Sequence, residues 1–466
     1  MSFLSDLLNG TPSEYDHTKQ IMANSFPWLF PGGMGDIWDR ERGSIPINQW
    51  GRHLLRYSDG RFASDQLFTL YMYNTIIRHK NNEEGHYFYN SGHFLKGDPP
   101  TLESLKNQIQ QGESNFVSIL QYYSANIRGS DSYWRGKAVE LQAWINHHLS
   151  LGHGPPTFFI TLSCAENWWP DLVRIMTDLE KNAGNLNDAF ALEQGDLKTL
   201  RKSVKRYPVY VNEYFLERSR TLMDTVLKDA LGIKYYWGRV EFAPGRGQIH
   251  LHILSISNDH AYLKEYHKAT TKEGKAAAVS NYMEDKLSYT ANTFIANENK
   301  SHPDADKSPL RFRYSDVKDE DQENDKADLA EDCMTHVCND YCLQLKTKTS
   351  KLRECNKGFG KEKQPGKCDT EGFPLINTSV LRVDGKGITH LDMKRTHSRR
   401  VVQHSELLLQ IWRANIDVKC LIFDTDPNWP NLSEIEAIVS YICAYTVKKN
   451  KTVRQEKEMI QDLIIR

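Results

Sequence analysis

Two histidines, His250 and His252, stand one residue apart in the run "GRVEFAPGRGQIHLHILSI". Side chains on a strand alternate faces, so both imidazoles share one face while Ile249, Leu251 and Ile253 take the other, core-facing one. The run reads as a hairpin, with a first strand "KYYWGRVEF", a turn "APGRG" and a second strand "QIHLHILSI". If the turn sets Glu241 opposite His250, a carboxylate joins the imidazoles, and Gln248 shares the face by parity as a weaker candidate. Two neutral imidazoles and a carboxylate suit a divalent cation. The plainer alternative is two half-exposed polar residues on a strand.

A second set of reactive side chains lies in "SEIEAIVSYICAYTVKKN", a helix opened by Ser433 with Glu436 in a capping-box arrangement. Tyr441 and Tyr445 are four residues apart, which puts both hydroxyls on one helix face, and Lys448 follows on that face with Lys449 close behind. A phenolic oxygen can attack a phosphodiester whose phosphoryl oxygens are polarised by a divalent cation. A lysine alongside would complement the charge that builds on the phosphate. The alternative is a pair of tyrosines at the edge of an apolar helix face.

Five of the eight cysteines (Cys333, Cys338, Cys342, Cys355, Cys368) crowd beside His336. The N-terminus "MSFLSDLLNG" has no basic region and no sustained apolar stretch, so a soluble, non-secreted protein is expected. Nowhere does the chain approach 18 uninterrupted apolar residues, and no membrane partner is expected. In that setting clustered cysteines favour a metal over disulfides.

The elements that must hold these groups follow from pattern. At 466 residues the chain has room for roughly three domains. A formal net charge of −1 places any nucleic-acid contact in local patches rather than in the overall field. Residues 1–150 read as a helical N-terminal domain, with "SFPWLFPGGMGDIW" as a Pro/Gly-broken loop carrying apolar anchors and "SDQLFTLYMYNTIIRHK" as an amphipathic helix started by Ser64-Asp65. "FFITLS" is a strand, and "KTLRKSVKR" belongs to a basic helical region. Residues 258–330 are polar and end in "DVKDEDQEND", which reads as a solvated or disordered surface insertion.

In order along the chain, "FFITLS", "RVEFAPGRGQIHLHIL", a zinc-like cluster and "YICAYTVKK" resemble the Rep nuclease part of Helitron rolling-circle transposases, the HUH endonucleases with two tyrosines. "SFPWLFPGG", "SDGRFASDQLFTLYMYNTIIRHK" and "LLLQIWRANIDVKCLI" extend the resemblance over most of the chain. It implies an α+β fold: an HUH-type antiparallel sheet flanked by helices, with a helical N-terminal domain and a small zinc-binding insertion. Residues 151–260 would be the first half of the nuclease domain, 261–330 the polar insertion, 331–375 the zinc-binding segment, and 376–466 the second half with the tyrosine helix.

By the same resemblance His250, His252 and Glu241 would hold Mg²⁺ or Mn²⁺, and Tyr441 and Tyr445 would be the nucleophiles. The family commonly has a lysine just before the second tyrosine; here that residue is Ala444, which leaves its role to Lys448 or Lys449. His336, Cys338, Cys342 and Cys355 would bind a structural Zn²⁺, with Cys333 and Cys368 as alternatives. The implied activity is nicking and strand transfer on single-stranded DNA, in the nucleus, through a 5′-phosphotyrosine intermediate and a free 3′-hydroxyl. "KTLRKSVKR" and "MKRTHSRR" are candidate phosphate contacts, and Trp168, Trp169, Tyr235, Tyr236 and Trp237 candidate stacking platforms. Full Helitron proteins continue into a helicase, and no Gly-x-x-x-x-Gly-Lys-Ser/Thr loop occurs in this sequence, so an excised nuclease region or a shortened copy is expected. The competing readings are an inactive relic that binds single-stranded DNA and an RNA-binding module.

Overall fold

The computed structural model describes residues 20–37, 39, 45–90, 131–242, 247–293, 309–336, 342–345, 353–355, 361–364, 367–369, 374–385, 387–397, 400–423, 433, 435–437, 439 and 440. Of these, 78, 80–90, 131, 132, 361–364 and 367–369 are described in backbone only. The chain divides into two compact units, one of residues 1–136, 205–210 and 449–466, the other of residues 137–204 and 211–448.

In the first unit the described helices are α1 (Ile21–Ser25), α2 (Ile47–Leu55), α3 (Arg61–Ser64) and α4 (Gln66–Asn90). The aromatic-rich N-terminal segment supplies its core: Phe26, Leu29, Phe30, Trp50, Phe62, Phe68 and Met72 pack together. Asp65 caps α4, its Oδ1 accepting from the Phe68 amide at 2.9 Å, while Oδ2 accepts from the Trp28 indole at 2.8 Å. Gly51 is what lets α2 lie close on α4, since a Cβ there would meet Met72 Sδ at 2.7 Å and Ile76 Cδ1 at 2.9 Å.

The second unit takes in α5 (Asp131–Ser150) from Lys137 on and is built on a four-stranded antiparallel sheet. Its strands are β1 (Phe158–Ser163), β2 (Ile233–Phe242), β3 (Ile249–Ser257) and, far along the chain, β12 (Ile416–Cys420), in the order β12-β1-β3-β2. The helices of this unit include α6 (Pro170–Asn182), α7 (Leu186–Glu193), α8 (Leu197–Arg206) up to Val204, α9 (Pro208–Leu222) from Val211 on, α10 (Ala261–Lys268), α11 (Lys272–Leu287), α12 (Gln322–Leu329) and α13 (Glu406–Trp412). The rest of its β-structure is small: β4 (Tyr289–Thr290) pairs with β11 (His404–Ser405), and β9 (Val380–Val383) with β10 (Thr389–Asp392). A separate sheet runs β5 (Leu343–Gln344), β6 (Glu354–Cys355), β7 (Lys361–Gln364) and β8 (Lys367–Asp369). The whole is a mixed α/β architecture with small antiparallel sheets.

Both faces of the main sheet are packed. On one lie Phe158, Ile160 and Ile253, with the Phe158 ring against Tyr282 and Tyr262 from α11 and α10. The buried Tyr262 hydroxyl donates to the Leu421 carbonyl at 2.8 Å, tying α10 to the end of β12. On the other face Phe159 and Leu254 join Leu141 and Ile145 of α5, Leu421, Phe423, Ile435 and Val439 in one core cluster.

The reading of residues 258–330 as a solvated insertion is corrected for the stretch 261–287, while the acidic run is exposed at Asp316, Asp319, Glu320 and Asp321. α10 and α11 bury Tyr262, Leu263, Tyr266, Val279, Met283 and Leu287. The acidic run ends in Asp325, 8% exposed, whose two oxygens accept from the Arg413 guanidinium at 2.8 and 2.6 Å. Arg413 is 1% exposed and ends α13 in the left-handed region, φ 59°. Composition misleads because polar helices with one apolar stripe have a low mean hydropathy and yet bury that stripe.

Candidate functional site

The register of the hairpin places Glu241 directly opposite His250 and Arg239 opposite His252. On the other side of β3, Thr161 pairs with His252 and Ser163 with His250. Paired residues share a face, so one polar group gathers Glu241, Arg239, His250, His252, Thr161 and Ser163 on the same side of the sheet as Phe159 and Leu254. His252 is 6% exposed, less than the half-buried Leu251 on the supposed core face. Its ring stacks on Phe159 at 5.8 Å between centroids and 7° between planes. Apolar packing thus extends to the histidine face as well, where Leu141 and Ile145 of α5 and Ile435 and Val439 cluster with Phe159 and Leu254.

The imidazoles have defined partners. His250 Nδ1 lies 3.0 Å from the Gln248 carbonyl; a carbonyl only accepts, so Nδ1 carries the proton and Nε2 the lone pair a metal would use. His252 Nε2 is 2.8 Å from Glu241 Oε2 and its Nδ1 is 3.1 Å from Thr161 Oγ1. With the carboxylate as acceptor, His252 donates through Nε2, and in the neutral ring Nδ1 accepts a hydrogen bond from the Thr161 hydroxyl. Gln248 turns its amide to the Cys164 carbonyl. Donor chemistry fits a hard or borderline divalent ion, and Glu241 and His252 already approach each other as two ligands of one ion would. The three side chains are not, however, drawn into one group of mutually close ligand atoms. Among the described residues that is found for His336, Cys342 and Cys355, whose ligand atoms all lie within 4.8 Å of one another.

That second group is built from the small sheet. Leu343 pairs with Cys355, which brings Cys342 and Cys355 together, both buried. His336 is anchored by its amide to the Arg400 carbonyl at 3.3 Å, and its Nε2 lies 3.3 Å from Cys355 Sγ. Two thiols and an imidazole are three of the four donors of a tetrahedral zinc site. Cys338, the expected fourth, lies outside the described residues, as does the side chain of Cys368. Cys333 is not in the group; burial and the nearby Asp332 push its thiol well up.

Tyr441, Tyr445 and Lys448 also lie outside the described residues. The helix leading into them is described up to Ser440, and its Ile435 and Val439 pack in the cluster that contains Phe159 and Leu254.

One expected stacking platform, Trp169, is corrected. Trp169 is 1% exposed, its indole N–H held by the Arg413 carbonyl at 2.9 Å and its ring under the Arg218 guanidinium. Trp237 packs against the core and its N–H reaches Glu140 at 3.3 Å. Tyr235 stacks on His153, Trp168 lies beneath Arg311, and Tyr236 remains exposed. Of the basic patches, "MKRTHSRR" contributes a buried Arg395, and Lys202 of "KTLRKSVKR" pairs with Asp188 at 2.8 Å. Sequence reading missed Thr161 and Phe159 as companions of His252, although strand parity in "FFITLS" groups them on one face.

Among the described residues no helix is long and apolar enough to cross a membrane. No curated protein and no solved structure matches the chain. A family model does: residues 50–255 match the Helitron helicase-like domain at N-terminus, a match that runs through α2, β1 and the hairpin and takes in His250 and His252. The stretch from residue 50 to residue 255 is therefore a Helitron transposase-related region.

Proposed function

We propose that the chain is the nuclease of a rolling-circle transposase, an HUH-type endonuclease that nicks single-stranded DNA and transfers the strand. The observation that carries this reading is the convergence on one sheet face of Glu241, His250 and His252 with the helix that leads into Tyr441. The residues fit a divalent cation, and Mg²⁺ or Mn²⁺ held by His250, His252 and Glu241 would polarise the phosphoryl oxygens of the scissile phosphate.

The phenolic oxygen of Tyr441 or Tyr445 forms the new bond to phosphorus as the bond from phosphorus to the 3′-oxygen breaks. The products are a 5′-phosphotyrosine and a 3′-hydroxyl, the latter free to prime synthesis or attack in transfer. Lys448 balances charge on the phosphate in the transition state. His336, Cys342 and Cys355, with Cys338 as the fourth donor, would hold a structural Zn²⁺ that fixes the small sheet. Transposon ends as substrate, a helicase partner and a nuclear location complete the proposal.

The test is incubation with single-stranded DNA and Mn²⁺ followed by a denaturing gel. A covalent protein–DNA adduct is expected, lost when Tyr441→Phe and Tyr445→Phe are combined and lost with His250→Ala and His252→Ala. An adduct that survives the double tyrosine change refutes the nucleophile assignment. Binding of single-stranded DNA with no adduct would identify a non-cleaving relic.

A further inference from the structure

Resting on the reading of His252 as a cation ligand, we infer that Thr161 is the positioning residue for that ligand, holding the ring through both of its hydrogen-bonded states. Thr161 is the half-buried position of an otherwise buried strand, in direct register with His252 on the neighbouring strand. Its Oγ1 stands 3.1 Å from His252 Nδ1, and on the ring's far side Nε2 meets Glu241 Oε2 at 2.8 Å.

For the neutral ring these two contacts define the Nε2-H tautomer, the wrong one for a metal at Nε2. The carboxylate accepts, so the proton sits on Nε2, and Nδ1 accepts from the Thr161 hydroxyl. To offer Nε2 to a cation shared with Glu241, the imidazole must lose the proton at Nε2 and gain one at Nδ1, with no change in its charge. The partner at Nδ1 must then change from donor to acceptor. A backbone carbonyl can only accept and an amide N–H only donate; a hydroxyl does both by rotating. Thr161 therefore keeps Nδ1 satisfied before and after the exchange, at a 6%-exposed ring where water offers no substitute. Stacking on Phe159, with 7° between the planes, confines the ring to the sheet-side orientation in which the hydroxyl can reach it.

The experiment measures Mn²⁺ affinity of the intact chain by electron paramagnetic resonance for the wild type, Thr161→Val, Thr161→Ser and His252→Ala. The isosteric valine should weaken binding by roughly 10- to 100-fold, the usual size of a lost outer-shell hydrogen bond, and serine should restore it. Wild-type affinity in Thr161→Val, with His252→Ala impaired, overturns this inference and leaves the cation site standing. Weak binding in both Thr161→Val and Thr161→Ser also overturns it, because the hydroxyl is then not the operative group. Wild-type affinity in His252→Ala removes the ligand reading itself. A measurement free of any folding defect is ¹⁵N NMR of histidine-labelled wild type: His252 should change from the Nε2-H to the Nδ1-H tautomer on saturation with Mg²⁺. A ring that stays Nε2-H when loaded overturns the inference.

Discussion

At the scale of single residues, burial decides which polar groups matter. Arg413 and Asp325 are both nearly inaccessible and form a bidentate pair. The pair joins α12 to the end of α13, where Arg413 also accepts the Trp169 indole at its carbonyl. Removing one partner leaves the other charge buried and alone, a change that costs about 3–5 kcal/mol. Asp325→Ala should therefore lower the unfolding free energy measured in urea by that order; a loss under about 1 kcal/mol would show that water reaches the guanidinium. The same logic separates the aromatics. Trp169, fully enclosed between Arg218 and Trp412, is a packing residue, whereas Tyr236 keeps a solvent-facing ring.

At the scale of elements, the small sheet is too short to hold itself together. β5 and β6 have two residues each, and the apolar cluster beneath them consists of Cys342, Leu343 and Cys355 with Val402 packed on it. With so little apolar support, this sheet gains most from a metal staple. One zinc per chain is the expected content by elemental analysis. Its removal with a chelator should open protease sites within residues 331–375 while the four-stranded sheet stays resistant. Zinc-free protein with the same digestion pattern would leave His336, Cys342 and Cys355 as an unliganded cluster. The hairpin behaves differently: β2 and β3 run ten and nine residues and pair along their length, and β3 is mostly buried, so its geometry does not depend on an ion.

At the scale of the molecule, three histidines are held neutral by the fold. Burial lowers the pKa of His148, His260 and His404, in each case as the largest cause. His404 is fully enclosed, with Nδ1 2.8 Å from the Val402 carbonyl and Nε2 3.1 Å from the Thr293 hydroxyl. Above about pH 6.5 such groups are neutral folded and unfolded and contribute no slope. As pH falls below that value the unfolded chain binds protons that the folded chain refuses, so stability declines toward the depressed folded values. Denaturant midpoints between pH 8 and pH 5 should fall on the acid side, by up to about 1.4 kcal/mol per pH unit for each proton taken up. His404→Gln should flatten that decline; an unchanged profile would show that His404 does not contribute to it.

How much of this was legible beforehand follows from the range of the forces involved. Strand parity and turn length act within a few residues, so "RVEF" and "QIHLHIL" alone were enough to set Glu241 opposite His250 and both histidines on one face. The crowding of cysteines likewise anticipated that His336, Cys342 and Cys355 would meet. Local pattern also marked the Asp65 cap. Tertiary structure alone decided that β12, some 250 residues after β1, pairs beside it. It also decided that α5, Ile435 and Val439 pack on Phe159 and Leu254, that residues 261–287 of the polar segment supply core, and that Thr161 meets His252. Those outcomes depend on which distant surfaces bury each other, and hydrophobic burial is non-directional: it rewards any apolar pairing and names no partner in the sequence.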